Sequence, residues 1–334
     1  MRPASRAKLL VVSTGCPAGI GPEVSVAAAA EFDAAPVVLV GDERTLLAAA
    51  ELLRISAKRF APFAGTVRPG KISILQTGAP LKGGDRRPGK PTPASGRAQL
   101  EYIEAALALT KAAPHRALVT GPVSKAAIAH SGLRRARQFL GHTEWLRDLD
   151  GAKVSVMCFA SERLVTSLAT THVPLARVPV ELSPRAVADA TAYLGELLVL
   201  LGKKSPRIAV ASLNPHAGES ELLGGEEARA IAPGIAVAKK RLGRRAKITG
   251  PIGAETAYRK ALAGVFDGVV AMYHDQATIP MKVVAFGDAV NVTMGLSIVR
   301  TSVDHGTAYD IAWQGEADAS GMRAALELAA RITR

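Results

Sequence analysis

Cysteine is nearly absent. Only Cys16 and Cys158 occur in 334 residues, so no disulfide framework can hold the fold. Aromatic residues make up 4%, which leaves little for base stacking and speaks against a nucleic-acid partner. Long apolar runs are lacking as well. The longest, residues 197–201, is far too short to span a bilayer. Near the start, Arg2, Arg6 and Lys8 precede only a short apolar run, residues 9–12, less than a signal-peptide core needs. A cytoplasmic protein with no membrane partner is therefore expected. Two nucleotide-binding patterns are missing too. The dinucleotide pattern G-x-G-x-x-G fails after Gly19 and Gly21, because Val24 stands where a third Gly or Ala belongs. The phosphate-loop pattern fails because Gly121-Pro122-Val123-Ser124-Lys125 lacks the spacing. Acidic residues are in deficit: 29 Asp and Glu against 42 Lys and Arg give a formal charge of +13. That surplus suits an anionic partner such as a phosphorylated metabolite or a nucleotide cofactor. The basic residues mostly fall in scattered pairs, Arg86-Arg87 and Arg244-Arg245 among them, as on solvated helix ends.

What is present is an ordinary globular balance, 48% apolar and 21% charged. At this length two compact lobes are expected. Short β-branched runs that end in Gly or polar loops recur at 8–13, 37–40, 72–75, 117–120, 154–159, 164–169, 208–212, 269–273, 289–293 and 298–301. Ala-rich stretches at 23–30, 43–53, 95–112, 125–130, 184–201, 225–241, 255–262 and 321–332 read as helices. The alternation predicts an α/β fold with mostly parallel sheets. Only Ser161-Glu162-Arg163 separates the runs 154–159 and 164–169. That spacing predicts a hairpin and a mixed second lobe. Thr120-Gly121-Pro122 and Thr249-Gly250-Pro251 are a weak internal echo, each a strand followed by a Gly-Pro step and a helix.

Three constellations could carry chemistry. The turn Thr14-Gly15-Cys16-Pro17-Ala18-Gly19-Ile20-Gly21-Pro22-Glu23 joins the first strand to a helix whose free N–H groups could meet an anion. It serves equally as a tight strand-to-helix turn. Among seven histidines, His172, His216 and His274 each come just after a predicted strand. Loops that follow the strands of one sheet converge, so three imidazoles can meet at one ion. Three neutral nitrogens with an open position suit catalytic Zn²⁺, Co²⁺, Ni²⁺ or Mn²⁺. Asp275 and Glu219 could orient such rings. Each of these histidines alone could equally be a capping or a satisfied polar residue. Finally Lys282, Asn291 and Arg300, spaced nine and nine, would make a cradle for phosphate and carboxylate. A Lys and an Arg on exposed strand ends would look the same.

In their order, several segments closely resemble the 4-hydroxythreonine-4-phosphate dehydrogenase family of vitamin B6 biosynthesis. They are Pro17-Ala18-Gly19-Ile20-Gly21-Pro22-Glu23, Thr120-Gly121-Pro122-Val123-Ser124-Lys125, Gly141-His142-Thr143-Glu144, Thr171-His172-Val173-Pro174-Leu175, Asn214-Pro215-His216-Ala217-Gly218-Glu219, Tyr273-His274-Asp275-Gln276 and the run from Arg300 to Thr307. The resemblance spans about residues 8 to 330. It implies oxidation of 4-phosphooxy-L-threonine with NAD⁺ or NADP⁺ and a divalent metal (Zn, Co, Mg or Mn). Loss of CO₂ would then give 3-amino-2-oxopropyl phosphate. It also implies an isocitrate/isopropylmalate dehydrogenase-like fold of two lobes, 1–125 plus 300–334 and 126–299, with the active site in the cleft and most metal and substrate residues in the second lobe. A homodimer with the site at its interface is implied too. The family's metal histidines fall on His172, His216 and His274. Its substrate contacts fall on His142, Thr143, Lys282, Asn291 and Arg300. Asp275 and Lys282 are the candidates for the general base; no cofactor-binding residue is assigned. One departure is Cys16, where the family usually has Asp. Related dehydrogenases of phospho-D-threonate, phospho-D-erythronate or a dihydrodiol dicarboxylate share the histidines. A three-His metal hydrolase remains a more distant alternative.

Overall fold

Runs such as Leu9–Ser13 (LLVVS) and Val37–Gly41 (VVLVG) are buried at every position. A strand apolar on both faces needs cover on both, which parallel sheets with flanking helices provide. The computed structural model describes residues 8–333, so Arg2 and Arg6 lie outside the described residues. The chain begins with β1 (Leu9–Ser13), α1 (Gly21–Glu31), β2 (Val37–Gly41), α2 (Glu43–Leu52), β3 (Phe60–Pro62), β4 (Ile72–Gln76), α3 (Pro93–Lys111), β5 (Arg116–Thr120), α4 (Lys125–Ala129) and α5 (His142–Asp150). It continues with β6 (Val156–Ala160), β7 (Val165–Leu168), α6 (Val178–Glu181), α7 (Pro184–Leu200), β8 (Arg207–Ala211), α8 (Ala232–Leu242), β9 (Lys247–Ile252), α9 (Ala254–Leu262), β10 (Gly268–Ala271), α10 (His274–Ala285) and β11 (Val290–Met294). It closes with β12 (Val299–Ser302) and α11 (Ser320–Ile332).

Two compact units result. The first runs up to Ala152 and resumes at Leu296; the second is Lys153–Gly295. The sequence places the divisions at 125/126 and 299/300 instead. The first shifts because Phe139 and Leu146, on either side of the start of α5, are buried in one apolar cluster with Leu100, Ile103 and Leu118 of the first unit, and the second because Leu296 and Ile298 pack against that cluster. Within the first unit the strand order is β3-β4-β2-β1-β5-β12, parallel throughout. The second unit runs β11-β6-β7-β10-β8-β9. There β11–β6 and β6–β7 pair antiparallel, and β7–β10, β10–β8 and β8–β9 pair parallel. The mixed second lobe expected from the hairpin spacing is therefore present. Its core gathers Phe159, Leu168, Val269, Ala271 and Met281.

The Gly-Pro echo does not hold as a matched pair. Thr120 ends β5, whereas Gly250 and Pro251 lie within β9, at the edge of the second unit's sheet. Among the described residues, no helix is long and apolar enough to cross a membrane.

Candidate active site

In the first unit the candidate side chain Arg300 lies at the carboxyl ends of β5 and β12. Parallel pairing sets Arg300 opposite Leu118 and Ser302 opposite Thr120. From that position the Arg300 Nη2 donates to Thr120 Oγ1 at 2.6 Å. Arg300 is only 2% exposed. Burial pushes its guanidinium down to about 10, while Glu144 opposes the shift, so it stays protonated at neutral pH. His142 opens α5, where Gly141 stands at the cap with its backbone extended. Its Nε2 is buried with no hydrogen-bond partner among the described residues. Burial first, then the charges of Arg300 and Lys125, hold the imidazole well below its usual range. A neutral ring and a cationic fork thus share one region, which suits recognition of an oxyanion. Thr143 follows in the first turn of α5, half-buried.

The glycine turn after β1 is built by close packing. Gly15 sits at φ +79°, and a Cβ there would lie 2.3 Å from the Pro122 carbonyl oxygen. Cys16 N donates to that same oxygen at 2.8 Å. The buried Cys16 Sγ lies 3.5 Å from the Tyr309 hydroxyl. Burial pushes the thiol up, and burial together with the Cys16 contact pushes Tyr309 up to about 12. Glu23 in α1 turns its carboxylate to the backbone N–H groups of Trp313 at 2.5 Å and Gly315 at 2.9 Å. This turn therefore carries clear packing duties.

In the second unit the three histidines follow three neighbouring parallel strands, β7, β10 and β8. His172 comes four residues after β7, His274 three after β10 and His216 five after β8. The ladder runs on past the strands, with Ala169 N donating to Ala271 O at 2.8 Å and Thr170 Oγ1 to Met272 O at 2.7 Å. That extension brings the rings of His172 and His274 to a centroid separation of 5.7 Å, tilted by 39°. Asp275 Oδ1 lies 2.7 Å from His274 Nδ1, which orients that ring and leaves Nε2 for a ligand. Gln276 ties two strand ends together. Its Oε1 accepts from Met272 N at 2.6 Å and its Nε2 donates to Ser212 O at 2.8 Å.

His216 is exposed and begins a left-handed stretch. Positive φ occurs at His216 (50°), Ala217 (54°), Gly218 (82°), Glu219 (42°), Ser220 (57°) and Glu221 (72°). Each non-glycine residue there costs about 1–2 kcal/mol. Among the described residues no group of three or more His, Cys, Asp or Glu side chains is arranged to hold an ion. The structure thus brings two of the three imidazoles together and sets the third at the end of the adjoining strand. The donor chemistry fits a borderline divalent cation. Two rings at this separation can each set a nitrogen about 2.0–2.1 Å from one point, with a carboxylate behind.

Lys282 lies eight residues along α10 from His274 and is exposed. Asn291 on β11 pairs with Phe159 of β6, and its Oδ1 is buried with no hydrogen-bond partner among the described residues. His142, Thr143 and Arg300 belong to the first unit; Lys282, Asn291, Asp275 and the three histidines belong to the second. Sequence reasoning missed Thr120 as the partner of Arg300, and Gln276 as the tie between strand ends. Both sit inside motifs it had quoted, two residues past His274 in the case of Gln276.

Residues 33–329 match the family described as pyridoxal phosphate biosynthetic protein PdxA. A curated relative, the 4-hydroxythreonine-4-phosphate dehydrogenase of Desulfosudis oleivorans, is 41% identical over 328 residues, 96% of this chain and 95% of the relative. The crystal structure of 4-hydroxythreonine-4-phosphate dehydrogenase from Klebsiella pneumoniae aligns with a TM-score of 0.84 at 35% identity, over 98% of this chain and 100% of that one. A terephthalate 1,2-cis-dihydrodiol dehydrogenase from Burkholderia xenovorans aligns at TM-score 0.70 and 29% identity, over 98% of each chain.

Proposed function

The chain belongs to the PdxA family of pyridoxal phosphate biosynthetic proteins, and from that premise we propose that it oxidises 4-phosphooxy-L-threonine at C3 and promotes decarboxylation of the product, as a soluble cytoplasmic homodimer. The observation that carries this reading is the His172–His274 pair at 5.7 Å, with Asp275 behind it, on neighbouring parallel strand ends. His172, His274 and His216 would hold a divalent cation. Bound there, the cation supplies Lewis acidity and a nicotinamide cofactor, NAD⁺ or NADP⁺, supplies the hydride acceptor.

The chain's own groups do the rest. Arg300, braced by Thr120, takes one anionic end of the substrate, and neutral His142 with Thr143 donates to it. In the second unit Lys282 and Asn291 offer further polar contacts to the substrate. Asp275 is engaged with His274 Nδ1 and orients that ring. Lys282 therefore takes the proton that leaves the C3 hydroxyl. Exposed apolar side chains support the dimer: Ile279 and Val283, one turn apart on α10, are 62% and 80% exposed, and Phe286, just past its end, is 84% exposed.

The test is turnover of purified protein, following NADH absorbance and CO₂ release. Chelation is expected to abolish turnover, and added Zn²⁺, Co²⁺, Mn²⁺ or Mg²⁺ to restore it. A metal-free enzyme with full rate removes the cation from the mechanism. A substrate panel separates the second reading, which the dihydrodiol dehydrogenase likeness favours. Faster turnover of a phosphothreonate or a cyclic dihydrodiol dicarboxylate than of 4-phosphooxythreonine would reassign the substrate.

A further inference from the structure

The left-handed stretch that begins at His216 has no local reason to exist. Five of its six residues are not glycine, and none is the Asn or Asp that tolerates this region best. Such a path persists only where its surroundings over-determine it. The surroundings here centre on one buried carboxylate. Glu227 is 7% exposed and sits in the single π-helical turn, Glu227–Ile231, that leads into α8. Its Oε1 accepts from Leu213 N at 2.9 Å and from Asn214 N at 2.8 Å. Its Oε2 accepts from Asn214 Nδ2 at 3.0 Å.

The same oxygen lies close beside the middle of the stretch. A Cβ on Gly218 would stand 2.9 Å from Glu227 Oε2. Leu223 N donates back to Gly218 O at 3.1 Å, which closes the arch. One carboxylate thus holds the entry to the arch, two residues before His216, by hydrogen bonds, and lies beside its centre, two residues after, where it leaves no room for a side chain.

We propose that Glu227 is a positioning residue for His216: its buried carboxylate fixes the left-handed arch and so sets where that imidazole is presented. The inference rests on the reading of His216 as a cation ligand. Glu227 itself does not touch the cation. It acts as an outer partner does in other metal sites, through the backbone that carries the ligand. The carboxylate is required for a stated reason. Gln in its place keeps an acceptor for the two backbone N–H groups but turns an NH₂ toward Asn214 Nδ2, a donor facing a donor. Leu removes all three acceptor contacts and leaves Leu213 N and Asn214 N without partners.

The experiment measures Zn²⁺ affinity of the full chain by competition with a chromophoric chelator, alongside amide hydrogen exchange over residues 213–221. Glu227→Leu is expected to weaken Zn²⁺ about 10- to 100-fold, with faster exchange at Leu213 and Asn214. Glu227→Gln is expected to fall between Glu227→Leu and wild type in both readouts. Glu226→Gln removes a neighbouring charge while its amide oxygen can still accept from Asn214 Nδ2, a contact of 2.8 Å in the wild type, and is expected to change affinity less than about twofold. Wild-type Zn²⁺ affinity in a folded Glu227→Leu protein overturns the proposal. If that variant does not fold, Glu227→Gln decides: unchanged affinity and unchanged exchange overturn it equally. Failure of the wild type itself to bind Zn²⁺ is a separate result. It removes the cation reading and this inference with it, whereas intact binding in the variants removes this inference alone.

Discussion

Arg300 carries a full positive charge to a position where 2% of its surface meets water. Its Nη2 donates to a neutral hydroxyl, that of Thr120, and the Glu144 carboxylate favours its charged form. Burial disfavours the charged form, so desolvating this cation costs the fold, and an anionic ligand that shares the charge would offset that cost. Replacing it with an apolar chain of similar length should therefore separate stability from binding. Arg300→Met is expected to leave the melting temperature unchanged or higher, while kcat/KM for a phosphorylated substrate falls at least about 10- to 100-fold, the worth of one or two charge-assisted hydrogen bonds. Steady-state kinetics beside a thermal melt check both halves. A large loss of stability with little loss of kcat/KM would make Arg300 a structural cation.

His142 gives a pH dependence with a definite sign. Its imidazole is held well below the usual 6.5 in the folded protein. Above pH 6.5 neither state binds the proton, and this group leaves stability untouched. As pH falls below 6.5 the unfolded chain takes up a proton that the folded chain refuses. Stability then declines until the folded pKa is reached. His142→Gln is expected to flatten the acid limb of a melting-temperature profile below pH 6.5 relative to wild type. Parallel limbs in the two proteins would mean that the buried ring is not the group responsible.

At the level of elements, strands were legible and the helices that matter most were not. Ten β-branched runs were read from the sequence, and each finds its counterpart among the twelve strands. Short β3 was missed, and edge strand β9 was read only as a strand stopping before Gly250-Pro251, which in fact lies inside it. Fully buried parallel strands write themselves as continuous Val, Ile and Leu, which explains the success. Helix α10 hides for the opposite reason. Pro280 stands inside it, and Thr278, Ile279, Val283 and Val284 are β-branched, so propensity argues against a helix. Burial of Ala277, Met281 and Ala285 in the second unit's core overrides that preference. Helix α5 is short and charged, and the sequence reading has no helix there either. These two missed helices carry His142, Thr143, His274 and Lys282. The candidate histidines were found anyway, because the strand ends that present them were legible. The arch at His216 was not, since backbone handedness held by a remote Glu leaves no local trace.

The exposed apolar side chains on and just past α10 make their own prediction. Burying Ile279, Val283 and Phe286 against a second copy would remove large apolar side chains from water, each worth about 1.5–3 kcal/mol when fully covered. Val283→Asp with Phe286→Asp is expected to convert a dimer to a monomer in light scattering. A wild type that is already monomeric at micromolar concentration would dispose of the dimer.

On the scale of the whole molecule, the chain returns to its first unit after completing the second, and β12 brings Arg300 back beside β5. No local signal marks that return. It is a property of the sheet, where β12 is the strand that pairs with β5. The overall charge, by contrast, is plain from the sequence and has a consequence for rate. A surplus of +13 draws a phosphorylated substrate toward the surface before any specific contact forms. Between 0.01 and 1 M salt the Debye length falls from about 30 to about 3 Å, so this long-range attraction is lost. A buried contact such as that of Arg300 is screened far less. Raising sodium chloride is therefore expected to raise KM for the phosphorylated substrate while leaving kcat nearly constant. A non-phosphorylated analogue should show the weaker slope. If KM is flat for both, the positive charge lies away from the approach path. If kcat falls in step with kcat/KM, salt is disturbing the site itself, and the buried location of the anion contact in the first unit would need revision.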